Sequence, residues 1–144
     1  MGVSRDLKFY FFLGAQAVSM AVWLVLLAIW PGPWNLQRVV GGVLLFAGMA
    51  LVLTARLQLG TSFSILPRAK KLVTHGLYSK IRNPIYVFGT IAIAGMLLIL
   101  QKPLLWALLA ALVLVQVVRA RREAAVLEAN FGEEYHAYRK QTWF

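Results

Sequence analysis

The stretch IYVFGTIAIAGMLLIL-QK-PLLWALLAALVLVQVV, residues 85–118, decides the fold. It holds two runs of 16 residues without a charged side chain, 85–100 and 103–118, separated only by Gln101-Lys102. The pair reads as two short helices in a tight antiparallel hairpin. Pro103 suits the first turn of the second helix, where its missing N–H is not required. At about 1.5 Å per residue, each run reaches roughly 24 Å, less than the ~30 Å hydrocarbon core of a bilayer. These two spans need their polar flanks, or a locally thin bilayer, to cross completely.

Outward from the hairpin, two more stretches lack charge. Residues 9–30 form a run of 22 with Trp23 and Trp30 toward one end, stopped by Pro31-Gly32-Pro33. Residues 39–55 are shorter, and Gly41, Gly42 and Gly48 allow close helix approach. The first run exceeds the length of a signal-peptide core, and no cleavage pattern follows it, so it reads as a span. The expected fold is all-α: a polytopic membrane protein with a single domain over residues 1–144. Its four transmembrane helices are accompanied by a cytoplasmic connecting loop and a C-terminal amphipathic helix.

Composition agrees. Of 144 residues, 60% are apolar and 14% charged, against about 25% charged in soluble chains. The net charge is nevertheless +10. Nucleic-acid-binding domains are also basic but lack long uncharged apolar runs, so no nucleic-acid partner is expected. Of the 15 Lys and Arg residues, 13 fall in the N-terminal segment, the second connection and the tail; only Arg38 and Lys102 lie in the alternate connections. The positive-inside rule then sets both termini in the cytoplasm, in an inner or plasma membrane. No acidic or cationic residue lies inside a span; Gln16 and Gln116 are the most polar there. That argues against a transporter, whose conducted path is marked by such groups. The chain has no cysteine, and its two distant histidines make no metal site.

The most informative polar stretch is the second connection, 72–86. Gly76 offers a positive φ for a turn, and Pro84 pushes Asn83 out of the helical region before beginning the third span. Lys80 and Arg82 sit beside Tyr78 and Tyr86. Taken alone, these features describe a membrane-surface loop with aromatic anchors and cations facing lipid phosphates. An arginine fork also suits a carboxylate or phosphate.

In the tail, helical spacing sets Ala120, Glu123, Leu127 and Phe131 on one stripe, continued loosely by Tyr135 and Tyr138. A carboxylate on a buried stripe needs a partner. Arg119, one turn earlier, is one; a ligand hydroxyl or ammonium is the other, favoured because Arg before Glu is the weaker order for an i,i+4 pair. Gly132 is expected to interrupt the helix, Glu133-Glu134 to start a second short one, and His136 to be solvated.

Leu72-Val73-Thr74, Gly76-Leu77-Tyr78 and Arg82-Asn83-Pro84-Ile85-Tyr86, followed by Glu123 and then Phe131-Gly132-Glu133-Glu134-Tyr135-His136-Ala137-Tyr138, resemble the signature of the integral membrane methyltransferases. That group includes isoprenylcysteine carboxyl methyltransferase and phosphatidylethanolamine N-methyltransferase. Gly60-Thr61-Ser62-Phe63 is similar to a weaker upstream element of bacterial members. The chain departs from the pattern in Leu77 for Pro, Asn83 for His, Phe88 for Gly, and Ala124 for the second of two glutamates. Asn before Pro also occurs among phospholipid-type members.

The resemblance implies transfer of a methyl group from S-adenosylmethionine to a membrane lipid or amphipathic small-molecule acceptor in the bilayer. It implies a cofactor site built from 58–86 and 119–142. Backbone groups near Leu72, Val73 and Gly76 would hold the adenine side and Glu123 the ribose or amino group. Arg82 would bind the methionyl carboxylate or orient the acceptor, which makes Arg82 and Glu123 the candidate catalytic residues. Tyr78 and Tyr86 would shape the sulfonium environment, with His75, Leu77, Asn83 and Pro84 also in the binding loop. Two other classes compete: an NADPH-dependent membrane reductase of the sterol type, and a non-enzymatic membrane subunit in which Arg82 and Glu123 only form ion pairs.

Overall fold

The structure, a computed structural model, describes residues 3–60 and 72–144. It is all-helical, as the charge-free runs require. In chain order the elements are α1 (Val3–Ile29), α2 (Leu36–Leu59), α3 (Pro84–Leu100), α4 (Leu105–Phe131) and α5 (Glu133–Gln141). A short 3-10 turn, Gly76–Ser79, precedes α3.

Two helices are long and apolar enough to cross a bilayer, Tyr10–Ile29 within α1 and Leu36–Leu59. The four spans expected from the sequence are therefore reduced to two on length. α3 has 17 residues, and α4 turns cationic at Arg119, so its apolar part falls below the ~30 Å of a hydrocarbon core. The connection between them is the physical reason. Gln101 takes a left-handed φ of 53° to end α3. Hydrogen bonds from Leu105 N to Lys102 O and from Trp106 N to Pro103 O then form a turn. Pro103 thus lies ahead of α4 rather than in its first turn, and the hairpin uses residues that the 103–118 span was expected to contain.

The C-terminal amphipathic segment is the second half of α4. Nothing between Val118 and Phe131 breaks a helix, and Ala, Arg, Glu and Leu all favour one. Gly132 ends it as expected, its N–H reaching Glu128 O at 2.9 Å. Glu133 and Glu134 then occupy the first turn of α5, where the helix dipole favours acid.

The core is the α2–α3 contact. A Cβ on Gly95 would lie against Leu45 N and Gly41 O, and one on Gly48 against Ala92 N and Phe88 O. The two backbones touch, as small-residue packing allows in a medium that supplies no hydrophobic drive. Leu45, Met49, Ala92 and Ile99 fill the space between, and Met20, Trp23 and Leu27 of α1 pack on that cluster. Phe11, Val18, Val22, Leu24, Val25 and Ile29 of α1, and Leu108, Leu114, Val115 and Val118 of α4, expose apolar surface. Such surface suits acyl chains rather than water.

Arg38 closes the end opposite the 72–86 loop. It is 1% exposed, and its guanidinium donates to Leu27 O, Trp30 O and Gly32 O at 2.5, 2.8 and 2.9 Å. Leu27 O in the last turn of α1 and two carbonyls just beyond it are thereby paired, and the helix dipole is met by a cation. Trp34 stacks on the guanidinium, 4.4 Å from ring centre to Cζ.

Gly95→Ala puts a methyl group into a backbone contact that cannot yield, so it should cost about 1–3 kcal/mol, as overpacking does. Gly89→Ala, on the same helix with open space at its Cβ, should leave the melting temperature in detergent unchanged or slightly raised. Equal melting of the two variants would show that the α2–α3 contact is not the core.

Candidate active site

The loop between α2 and α3 is held from three sides. From α2, the Gln58 side chain lies where a Cβ on Gly76 would be, and its Oε1 accepts the Leu77 N–H at 2.7 Å. Gly76 has φ +60°, the left-handed turn that its motif position calls for. Val73 and Tyr78 are buried against Ala55 of α2. From α5, the Tyr138 hydroxyl donates to Tyr78 O at 2.7 Å, a fully buried bond.

The third support is the chain after α5. Trp143 N donates to Lys80 O at 3.0 Å, and Arg82 N and Asn83 N donate to Trp143 O and Phe144 O at 3.2 and 3.0 Å. Ile81 and Trp143 pair as a parallel bridge. Pro84, fully buried, then starts α3.

Onto this support the two motif segments converge. The Tyr86 hydroxyl, in the first turn of α3, donates to Glu123 Oε1 at 2.5 Å. Glu123 is therefore partly desolvated and bonded across helices, as the stripe through Ala120 and Leu127 requires. Arg119 lies over the Tyr86 ring, 5.8 Å from its centre. Burial pushes the Tyr78 hydroxyl well above its ordinary pKa, and Tyr138 and Glu123 nearby push it in the same direction. Burial likewise pushes Tyr138 up to about 12. Both phenols stay neutral near pH 7, Tyr138 acting as a fixed donor.

The remaining expected site residues are distributed around this pair. Leu72, Leu77 and Asn83 are half-buried, while His75 is exposed at the start of the 3-10 turn. Arg82 is half-buried, and its Nε is shut off from solvent with no hydrogen-bond partner among the described residues. Among the described residues no ion pair joins Arg82 to Glu123; the contact that bridges the motifs is Tyr86–Glu123. The expected upstream element at Thr61-Ser62-Phe63, and part of the 58–86 segment, lie outside the described residues. His136 is not simply solvated: its Nε2 lies 3.2 Å from Glu128 Oε1, both side chains being less than half exposed, at 42% and 44%.

Gln58, Tyr138 and the 142–144 strap were not singled out as loop supports in the sequence. Gln58 carried a weak signal, an amide at the end of an apolar helix. The strap carried none, because its bonds are main-chain and independent of side-chain identity.

Two bilayer-length apolar helices point to a membrane-associated protein, with tyrosines, an arginine and a carboxylate gathered at one end of its bundle. A family profile described as phospholipid methyltransferase matches residues 36–134, from the start of α2 into the first turn of α5. The chain belongs to the phospholipid methyltransferase family, a family of membrane methyltransferases. No curated protein matches it.

Tyr138→Phe leaves the buried Tyr78 carbonyl without its donor and should cost about 1–3 kcal/mol. The raised Tyr138 pKa also sets a pH window. Its contribution to stability is complete below the ordinary value of 10.0 and is lost as pH rises through about 12. Phenolate absorbance should accordingly show late-titrating tyrosine in the folded protein, one such group fewer in Tyr138→Phe, and ordinary titration after unfolding.

Proposed function

We propose that this protein transfers the methyl group of S-adenosylmethionine to an amphipathic acceptor resident in the bilayer, at the cytoplasmic end of its helices. The observation that carries the reading is the Tyr86–Glu123 hydrogen bond, which joins two motif segments 37 residues apart within the family match. In this reading both termini are cytoplasmic, because 13 of 15 cations lie on that side. α3 and the apolar half of α4, each shorter than the hydrocarbon core, lie beside the two spanning helices with their polar flanks in the headgroup layer.

The residues present fit the cofactor. Arg82 is half-buried, its Nε has no partner among the described residues, and an arginine fork there suits an anion such as the methionyl carboxylate. Glu123, oriented by Tyr86, can accept from the ribose hydroxyls or the amino group. Main-chain groups of Leu72, Val73 and Gly76 would hold the adenine side, with His75, Leu77, Asn83 and Pro84 in the same binding loop. When bound, S-adenosylmethionine supplies an electrophilic methyl group on a positively charged sulfur. The chain's part is then alignment and exclusion of water, which an in-line displacement needs more than it needs a covalent nucleophile. The π faces of Tyr78 and Tyr86 favour positive charge beside them.

Incubation of the reconstituted protein with labelled methyl donor and a membrane lipid extract should yield a labelled lipid. S-adenosylhomocysteine should raise the melting temperature and NADPH should not; a ligand at 100 times its Kd stabilises by about 2.7 kcal/mol. Arg82→Ala and Glu123→Ala should each lose most of this shift and at least about 90% of turnover, the loss of one charge-assisted contact being worth about a factor of ten or more. Full binding and turnover in both variants would mean that the site lies elsewhere, and a shift with NADPH alone would point to a reductase.

A further inference from the structure

Below the Tyr86–Glu123 pair, the α3–α4 interface carries a second polar rung. Thr90 Oγ1 lies 2.8 Å from Gln116 Oε1 and 2.8 Å from Tyr86 O. Thr90 is one helical turn from Tyr86 on α3 and Gln116 two turns from Glu123 on α4, so the rung lies roughly 6–10 Å deeper in the bilayer. Contact between α3 and α4 is sparse beside that between α2 and α3. Both rung residues are only half-buried, and Leu114, Val115 and Val118 around them face outward. The rung is therefore partly exposed on the face that these apolar side chains present to acyl chains.

The hydrogen-bonding capacity of the rung exceeds its supply of partners. A threonine hydroxyl has one proton, and a glutamine amide has two N–H donors and a carbonyl. If Thr90 donates to Gln116 Oε1, both amide N–H groups lack a partner among the described residues. If Thr90 donates to Tyr86 O and Gln116 turns its amide nitrogen to Thr90, one N–H is still left over. Assignment of the amide orientation does not alter this conclusion. An unpaired amide donor is costly in hydrocarbon, where no water is at hand.

We infer that Gln116, oriented by Thr90, is a specificity-determining residue that donates to an ester carbonyl of a diacyl glycerophospholipid acceptor whose headgroup lies at Tyr86 and Glu123. This rests on the methyl-transfer reading above and narrows its acceptor. Glycerophospholipid esters lie below the headgroup by a stretch of the same order as the distance between the two rungs. A prenyl chain has no oxygen at that depth, so it would leave the amide unpaired. Recognition of a required polar group discriminates strongly against analogues that lack it, because the site's own donor is otherwise stranded.

The test compares dioleoyl phosphatidylethanolamine with its dialkyl ether analogue, which has the same headgroup and chains but no ester carbonyls. Binding of each to the detergent-purified protein is measured by native mass spectrometry, and methyl transfer to each is followed in vesicles. The wild-type protein should retain the diester over the diether by roughly threefold to tenfold, the net worth of one hydrogen bond. Gln116→Leu should bring that ratio to about one, with the S-adenosylhomocysteine shift unchanged, and Thr90→Val should lower it part of the way. A wild-type ratio of one would overturn the inference. So would an unchanged ratio in Gln116→Leu accompanied by a lower melting temperature, which would make the rung a helix–helix bond only. Neither result touches the methyl-transfer reading, which fails instead if no lipid is labelled and S-adenosylhomocysteine produces no shift.

Discussion

Direct contact between the backbones of α2 and α3, through Gly41, Gly48 and Gly95, is the constraint on which the other elements depend. In lipid, apolar side chains gain little by leaving one another or the acyl chains, so helices associate where close packing is geometrically available. Here it is available along most of α3. With those two helices locked, the C-terminus of α2 and the N-terminus of α3 stand side by side, and the chain between residues 72 and 83 must fold back over a short gap. Gln58 from one helix and Pro84 from the other mark the edges of that gap. Helices α1 and α4 are secondary to this pair, presenting one packed stripe inward and a broad apolar face outward.

The loop is rigid because its main-chain donors have partners. Leu77 N–H goes to Gln58, Tyr78 N–H to His75 O, Lys80 and Ile81 N–H to Leu77 O, and Arg82 and Asn83 N–H to the strap. Pairing of this kind, shown here for most donors from Leu77 to Asn83, is the requirement for backbone that leaves water. It frees the side chains of Arg82 and Tyr86 from any structural task within the loop itself. The opposite end of the bundle uses a cation quite differently. Arg38 gives its terminal nitrogens to three carbonyls of its own chain, and both Arg38 and Arg82 keep a buried Nε without a partner among the described residues.

Charge-free runs, cation asymmetry and the paired motifs were all legible in the amino-acid sequence, and they led to an all-helical membrane protein of the family that the profile match supports. Gly132 and the acidic start of α5 were legible too, since each depends on local backbone conformation and the helix dipole. The number of bilayer-length helices was not. It turned on how many residues the 101–104 turn would take from α4, a matter of hairpin geometry rather than of hydropathy. Arg38 was visible only as a stray cation in the first connection, because its acceptors are carbonyls, and every residue carries one.

By itself the sequence determined which segments are helical and which faces are greasy, because those properties follow from side-chain type and helical period. Only the tertiary structure decided the pairings. Glu123 meets Tyr86 rather than Arg82, Tyr138 meets the carbonyl of Tyr78, Gln116 meets Thr90, and the strap meets the loop. Each joins residues distant in the chain through the relative height and rotation of two helices, or through main-chain atoms. Those quantities are set by the α2–α3 glycine contact and the hairpin turn, and no single segment encodes them.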